Sequence, residues 1–158
     1  MASPPYVLVV DDERDLVRLL EFNLQQAGFE TGSAYTGEEA LQKARQRVPD
    51  LVVLDLMLPD VSGTEVCRQL KASPRTHTVP VLMLTALEFK LLATFMSRVG
   101  RLQTRGTLLR DVWGVSGELQ TRTVDTHVKR LREKLGSGRD LIETVRGIGY
   151  RMSEPEPG

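Results

Sequence analysis

Four polar side chains follow apolar segments that are typical of strands buried on both faces. They are Asp11 and Asp12 after YVLVV (6–10), Asp55 within LVVLDL (51–56), and Thr85 after VPVLML (79–84). Helical patterns separate these segments, and strands that alternate with helices predict a parallel sheet with helices on its faces. Because function in such sheets gathers at the carboxyl ends of the strands, we expect the four side chains to meet at one edge of the sheet.

The carboxylates of this cluster determine the chemistry that it could perform. Three carboxylates held together repel one another, so the cluster needs a cation, and a site made of oxygen ligands suits Mg²⁺. Asp55 could then attack a phosphoryl group to give an aspartyl phosphate, and the Thr85 hydroxyl could bond one of the transferred oxygens. The alternative is that acids after strands are only helix caps and loop residues.

A second group of candidate residues lies on a predicted helix that begins at Thr121 and ends before Gly136. Its apolar face consists of Val124, Val128, Leu131 and Leu135. Its other side presents Arg122, Thr126, Lys129 and Arg130, with Arg132 on the flank. Arginine suits bidentate contact with guanine, and both basic residue types suit phosphates, so this side is typical of nucleic-acid binding. A solvated charged face is the alternative.

The elements around this helix favour nucleic-acid binding. Two shorter helical patterns precede it, over residues 89–96 and 108–113, and DLIETVRGIGYRM (140–152) predicts two strands joined by a tight Arg-Gly turn. Three helices followed by a hairpin form the layout of a helix-turn-helix with a wing, in which one helix enters the major groove. Arg146 would lie at the hairpin tip, within reach of a minor groove.

The distribution of charge divides the chain into two parts. Residues 1–84 carry a balance of −4 and residues 85–158 a balance of +4, which suggests two modules with different partners. No apolar run approaches the roughly 18 residues that span a bilayer, and the N-terminus lacks the layout of a signal peptide. The single Cys67 excludes an internal disulfide. We therefore expect a protein of the reducing cytoplasm with no membrane partner.

The first part resembles the receiver domain of bacterial two-component response regulators. The resemblance is carried by VVDDE, LVVLDLMLPDVSG and VPVLMLTA, in this order over residues 6–86. It implies Asp55 as the phosphoacceptor and Thr85 as the hydroxyl that senses the phosphoryl group. It also implies a sensor histidine kinase as a partner and Mg²⁺ as the cofactor, held by Asp11, Asp12, Asp55 and the backbone carbonyl of Met57.

The second part resembles the winged-helix effector domain of the OmpR/PhoB family over residues 87–152, most strongly in RTVDTHVKRLR and VRGIGYR. The resemblance implies double-stranded DNA as the partner. By that resemblance Thr126, Arg130 and Arg132 face bases, Arg122, His127 and Lys129 lie near phosphates, Trp113 lies at the loop before the recognition helix, and Tyr150 lies by the wing. His127 as a surface histidine and Trp113 as a packing residue are the alternatives.

Both resemblances end at a junction, Leu84-Thr85-Ala86, where family members continue with further segments. Missing are a fourth helix, a fifth strand with a Lys-Pro pair, a fifth helix and the opening sheet of the effector domain. Without that lysine we expect the phosphorylation switch to be weak or lost. VPVLML becomes an uncovered edge strand, and the surface that pairs receivers is gone, so phosphorylation-driven dimerisation has no evident route. Because LTALEFKLL (84–92) also fits the start of an effector helix, we interpret the junction as an internal deletion.

The sequence thus predicts an α/β fold in two domains. An incomplete doubly wound parallel-sheet receiver (1–86) precedes a winged helix-turn-helix domain without its N-terminal sheet (87–152), and a disordered tail follows (153–158). The predicted function is a DNA-binding transcriptional regulator of a two-component phosphorelay. We expect no enzyme, because a phosphatase with an aspartyl nucleophile needs a second acid where this chain has Met57. The alternative is an interaction protein, or a non-functional deletion product, that pairs through the exposed edge strand.

Overall fold

The computed structural model describes residues 3–114 and 121–154. The chain divides into two units, Met1–Ala86 (unit 1) and Leu87–Gly158 (unit 2). No helix in the described ranges is long and apolar enough to cross a membrane. The predicted disorder of the tail (153–158) falls largely outside these ranges. Ser153 lies within them, and its amide donates to the Leu141 carbonyl at 2.8 Å.

Unit 1 alternates strands and helices around one parallel sheet, as predicted. Its elements are β1 Tyr6–Val10, α1 Arg14–Gln26, β2 Glu30–Ala34, α2 Gly37–Gln46, β3 Leu51–Asp55, α3 Gly63–Ala72 and β4 Val81–Leu84. The strand order is β2-β1-β3-β4. Every residue of β1 is buried, because helices cover both faces of a doubly wound sheet and leave its central strands uniformly apolar.

The core of unit 1 forms where the apolar stripes of the helices meet the sheet. Leu8 and Val10 of β1 and Leu54 of β3 pack in one cluster with Ala40 of α2 and Val66 of α3. Both helices begin with a side-chain cap. The Thr36 hydroxyl accepts from the Glu39 amide and the Ser62 hydroxyl from the Glu65 amide, each at 3.1 Å, which satisfies amides that have no partner within the helix. The caps set where each helix leaves the carboxyl edge of the sheet.

Strand β4 lies at an edge of this sheet, and β3 is its only partner among the strands that the structure describes. Their register runs from Val52 beside Val81 to Asp55 beside Leu84. The strand begins two residues later than the sequence pattern suggests. Pro80 has no amide hydrogen to donate to the ladder, although its carbonyl still accepts from the Val52 amide at 3.1 Å. The side chains of 81–83 are half-buried.

Unit 2 is a helical domain that ends in a hairpin. Its elements are α4 Ala86–Ser97, β5 Gln103–Thr104, α5 Arg105–Leu108, a π-helical turn Leu109–Trp113, α6 Thr121–Leu135, a 3₁₀ segment Gly136–Leu141, β6 Ile142–Val145 and β7 Gly149–Met152. One residue, Thr85, separates β4 from α4 along the chain. The predicted order of three helices and a hairpin is therefore confirmed.

A small antiparallel sheet, in the order β5-β7-β6, holds the hairpin in unit 2. We use "wing" for β6, β7 and their connecting residues 146–148. The turn contains Gly147 with φ of +77°, a left-handed conformation that glycine adopts without strain, as the predicted Arg-Gly turn requires. Strand β5 was not predicted. It has two residues, and Gln103 pairs with Tyr150 of β7.

Candidate functional site

The three predicted metal-ligating aspartates lie together at the carboxyl edge of the unit 1 sheet. Asp11 and Asp12 follow β1, and Asp55 ends the neighbouring strand β3. One carboxylate oxygen from each lies within 4.8 Å of the others. Asp11 is 2% exposed and Asp55 3%, whereas Asp12 faces solvent. We call these three residues the acidic pocket.

Hydrogen bonds hold two of the carboxylates in place. The Glu13 amide donates to Asp11 Oδ1 at 2.9 Å, and the Met57 amide donates to Asp55 Oδ1 at 3.1 Å. The second oxygen of Asp11 is buried and has no hydrogen-bond partner within the described residues. An unpartnered buried oxygen is costly unless something satisfies it, and a cation ligated by carboxylates would do so.

The electrostatics of the acidic pocket also favour a cation. Burial, which outweighs the hydrogen bond from Glu13, acts with the nearby Asp55 charge to raise the pKa of Asp11 to about 7. Burial likewise raises the pKa of Asp55, against the hydrogen bond from Met57 and with repulsion from Asp12. Both shifts express the cost of crowding negative charge in a poorly solvated site. The residues present therefore fit a divalent cation with oxygen ligands.

Met57 follows Asp55 by two residues, and Thr85 follows the strand that pairs with β3. Thr85 directly follows Leu84, the register partner of Asp55 in β4, and is half-buried. Asp11, Asp55 and Thr85 thus come from the ends of three neighbouring strands, β1, β3 and β4. The Met57 side chain is 77% exposed, and the role of its carbonyl as a metal ligand stays a prediction.

The lysines of unit 1 are bound away from the acidic pocket. Unit 1 contains two, Lys43 and Lys71. Lys43 Nζ donates to the Ser33 carbonyl at 2.5 Å and lies 3.0 Å from a Glu39 carboxylate oxygen. Lys71 Nζ donates to the Val79 carbonyl at 2.5 Å. Both ammonium groups are therefore bonded to oxygens outside the acidic pocket.

Helix α6 of unit 2 presents the predicted basic face. Its buried residues are Val124, Val128 and Leu131, and its exposed ones include Arg122, Thr126, Lys129 and Arg130. Within the described ranges, the side chains of Arg122, Lys129 and Arg130 make no hydrogen bond or ion pair, and neither does Arg146 at the exposed wing tip. Among the residues that the structure describes, these four cations have no partner, and we call them the free cations.

Arg132 and Tyr150 occupy a different environment from the free cations. Arg132 is half-buried, and its guanidinium donates to the Ile142 carbonyl at 2.9 Å and to the Thr144 hydroxyl at 2.7 Å. Tyr150 is buried, and its hydroxyl donates to Asp125 of α6. The structure therefore holds both predicted DNA-contacting residues through contacts inside unit 2.

Trp113 and His127 pack against each other. Their rings meet edge to face with centroids 5.1 Å apart, and both residues are half-buried. His127 Nδ1 lies 2.9 Å from the Thr123 carbonyl, one turn back on α6. Packing, the alternative for Trp113, thus describes its observed contact with His127, and a DNA contact by either residue stays a prediction.

Asp125 and Arg105 were missed by the sequence analysis. Arg105 Nε donates to Asp125 Oδ1 at 2.7 Å, and the same oxygen accepts from the Tyr150 hydroxyl. The available signal was an acid inside the basic motif RTVDTHVKRLR, seven residues before Arg132 and therefore on the same face of the helix.

Two family models match the chain. The model described as "Response regulator receiver domain" matches residues 7–100, more than half of the chain, and "Transcriptional regulatory protein, C terminal" matches residues 80–152. The two matches overlap over residues 80–100, which include the junction seen in the sequence. This segment therefore carries features of both families.

Known proteins with similar sequences match both parts of the chain. The chain is 32% identical to the phosphate regulon transcriptional regulatory protein PhoB of Rhizobium meliloti, with 94% of this chain and 98% of that protein covered. It is 30% identical to the alkaline phosphatase synthesis transcriptional regulatory protein PhoP of Bacillus subtilis, with coverage of 95% and 97%. A solved structure of a putative response regulator from Chloroflexus aurantiacus is 36% identical and covers 59% of this chain and 79% of its own, with a TM-score of 0.51.

The alignments also show an internal difference in length. The Rhizobium alignment spans 223 residues and this chain has 158, so at least 65 residues of that protein have no counterpart here. Because almost all of both chains is covered, most of these residues fall inside the alignment. The matches to the two family models and to these relatives show that the chain belongs to the OmpR/PhoB family of two-component response regulators.

Proposed function

We propose that this chain regulates transcription by binding double-stranded DNA, with α6 in the major groove and the wing at the adjacent minor groove. The observation that carries the proposal is the set of free cations, three on the exposed side of α6 and one at the wing tip. An amphipathic helix with an uncommitted basic face suits insertion into a groove lined by phosphates. The match to a C-terminal model of transcriptional regulatory proteins supports the same function.

The residues of this interface divide by chemistry. Thr126 and Arg130 are proposed to face base edges, where arginine can bond guanine through two donors. Arg122 and Lys129 are proposed to contact phosphates, which position the helix without reading sequence. His127, which packs on Trp113, lies one residue after Thr126 and is proposed to lie near the phosphates of the DNA. Arg146 is proposed to reach into the minor groove.

The salt dependence of binding tests this assignment. With Arg122 and Lys129 at phosphates, the slope of log affinity against log salt is expected to be about −2 for each bound copy. Lys129→Ala is expected to reduce the slope by about 1 and leave base preference unchanged, whereas Arg130→Ala is expected to relax base preference and to cost about 1–3 kcal/mol.

Fluorescence anisotropy measures both effects on duplexes that the wild-type chain selects from a random-sequence pool. Asp140→Ala, in the exposed 3₁₀ segment, is a control for a charge change away from the free cations. Equal binding of selected and scrambled duplexes at moderate salt would refute sequence-specific binding by this chain.

We also propose Asp55 as the phosphoacceptor of unit 1, with a sensor histidine kinase as donor. The Asp55 carboxylate oxygen would form a bond to phosphorus as the bond between phosphorus and the donor breaks. Asp11, Asp12, Asp55 and the Met57 carbonyl are the residues that would hold Mg²⁺, which when bound would offset charge on the transferring oxygens. The relatives are named as regulatory proteins, and we propose no enzymatic turnover at Asp55.

The phosphorylation switch is proposed to be weak in this chain. Lys43 and Lys71 are bound elsewhere, and the described part of the parallel sheet ends at β4. Incubation with Mg²⁺ and a small phosphodonor is expected to give little Asp55-dependent phosphoprotein, or a short-lived one, when intact mass is followed over time. Asp55→Ala is the control. A long-lived phosphoprotein in the wild type that is absent from Asp55→Ala would contradict this expectation.

A second candidate is an interaction protein, or a deletion product without function, that pairs through β4. The observation that favours it is the edge position of β4 with its half-buried side chains at 81–83. Light scattering after size exclusion separates the candidates, because a monodisperse chain that binds DNA supports the first. Concentration-dependent oligomers that lose DNA binding support the second. For a chain that binds DNA and lacks a membrane-spanning helix in its described ranges, we propose a location in the cytoplasm.

A further inference from the structure

Tyr150 lies at the centre of the three-stranded sheet in unit 2. It pairs with Gln103 of β5 on one side and with Thr144 of β6 on the other. The residue is 4% exposed, and its hydroxyl donates to Asp125 Oδ1 on α6. The central strand of the sheet is therefore bonded directly to the helix that carries three of the free cations.

Two guanidinium groups flank the Tyr150 ring. That of Arg105 lies 5.3 Å from the ring centroid and that of Arg132 lies 5.2 Å from it, both within the range of cation–π attraction. Arg105 Nε also donates at 2.7 Å to the same Asp125 oxygen that accepts from Tyr150. Asp125 is thus the shared acceptor for a residue of α5 and a residue of β7.

Arg132 makes the second tie between α6 and the sheet. Nε donates to the Ile142 carbonyl at 2.9 Å, and Nη2 donates to the Thr144 hydroxyl at 2.7 Å, so the planar fork spans two residues of β6. Asp125 and Arg132 are seven residues apart, which is about two turns of one helix face. Two anchors at that separation fix both the position and the direction of α6 against the wing.

We infer that Asp125 and Arg132 are positioning residues that lock the recognition helix to the wing, so that Arg130 and Arg146 reach their two grooves at a fixed separation. The inference rests on the proposed DNA binding. It changes the role expected for Arg132, whose fork is committed to β6 and not directed at a base. It also explains why α6 carries Asp125, although the negative charge of this residue opposes the binding of DNA.

The charge state of Asp125 supports this role. Burial alone would raise the pKa of Asp125, but the hydrogen bonds from Tyr150 and Arg105 outweigh it and lower the pKa below its ordinary value. The carboxylate therefore stays ionised near neutral pH. Bonds to an ionised acceptor are stronger than neutral ones and suit a fixed anchor.

A double-mutant cycle on DNA affinity tests the lock. The variants are Arg146→Ala, Asp125→Ala and their combination in the full chain, measured on the duplex that the wild type selects from a random pool. If Asp125 positions the wing, Arg146→Ala is expected to weaken binding about fivefold in the wild type and less than twofold in Asp125→Ala, because the wing tip no longer meets its groove. Asp140→Ala paired with Arg146→Ala is the matched control and is expected to be additive.

A second double-mutant cycle distinguishes loss of the contact between α6 and the wing from unfolding of the variant. Tyr150→Phe keeps the buried ring and removes only the hydroxyl that donates to Asp125, and it is expected to couple to Arg146→Ala in the same direction. Equal Arg146→Ala effects in the wild type, Asp125→Ala and Tyr150→Phe, with circular dichroism showing folded variants, would overturn the inference and leave the proposed function intact. Failure of the wild-type chain to select any duplex would instead overturn the proposed function together with the inference.

Discussion

An Asp11→Asn variant is expected to be more stable than the wild type at pH 8. Asp11 is 2% exposed, and one of its oxygens has no partner within the described residues. Burial acts with the charge of Asp55, against the hydrogen bond from the Glu13 amide, to raise the pKa of Asp11 from 3.8 to about 7. Asparagine has nearly the same shape, keeps an acceptor for Glu13 and carries no charge, so the substitution removes the repulsion.

The sign of the pH dependence follows from the raised pKa. Between about pH 4 and pH 7 the folded chain retains a proton on Asp11 that the unfolded chain has lost, so stability falls as the pH rises through this window. Below the window both states are protonated, and above it the loss is complete. A shift of about three pKa units corresponds to at most about 4 kcal/mol, which is the largest gain expected for Asp11→Asn at pH 8.

Urea unfolding at pH 5 and pH 8 measures this effect. Trp113, the one tryptophan of the chain, reports unit 2 by fluorescence, so a change confined to the circular dichroism transition belongs to unit 1. Asp15→Asn, an exposed acid on α1, is the matched control. Added Mg²⁺ is expected to stabilise the wild type at pH 8 and to have a smaller effect on Asp11→Asn. The prediction is wrong if Asp11→Asn is less stable than the wild type at pH 8 without metal.

The sequence predicts best those elements whose pattern of apolar residues favours one kind of secondary structure. The run YVLVV is apolar, short and rich in β-branched valine, which favours a strand covered on both faces and places Asp11 at the end of β1. Val124, Val128 and Leu131 recur at helical spacing and are all buried, which leaves Arg122 and Arg130 on the exposed side. In both cases local periodicity and tertiary burial agree.

The features that the sequence does not predict depend on contacts between distant residues. Strand β5 has two residues, too few to show any alternation, and exists because Gln103 pairs with Tyr150. The fork of Arg132 points to β6, whereas a helical wheel places it only on a flank. In the sequence, nothing distinguishes Asp125 from other acidic residues on helices. Its role depends on Tyr150 and Arg105, which both donate to the same carboxylate oxygen.

A Gly149→Ala variant is expected to lose about 3 kcal/mol of stability in unit 2, the upper end of the usual cost of overpacking, because the added methyl group meets backbone atoms. Gly149 begins β7 opposite Thr104 of β5. A Cβ built there would lie 2.9 Å from Thr104 Cα and would overlap the Gln103 carbonyl oxygen. Both neighbours are backbone atoms, so relief requires β5 to separate from β7 and breaks the sheet that holds Tyr150.

Alanine in place of Gly106 is expected to increase the stability of unit 2, whereas alanine in place of Gly149 decreases it. Gly106 lies in α5, and a Cβ built on it meets no atom within 4 Å. Alanine there is expected to add about 0.4–1 kcal/mol by restricting the unfolded chain. Unfolding followed by Trp113 fluorescence, with DNA affinity measured on the same samples, compares the two variants.

Gly149→Ala is also expected to weaken DNA binding more than tenfold, because Tyr150 follows Gly149 directly and bonds to α6. Gly106→Ala is expected to leave the lock between α6 and the wing unchanged. Equal stability of the two variants would show that β5 is not needed to hold the wing.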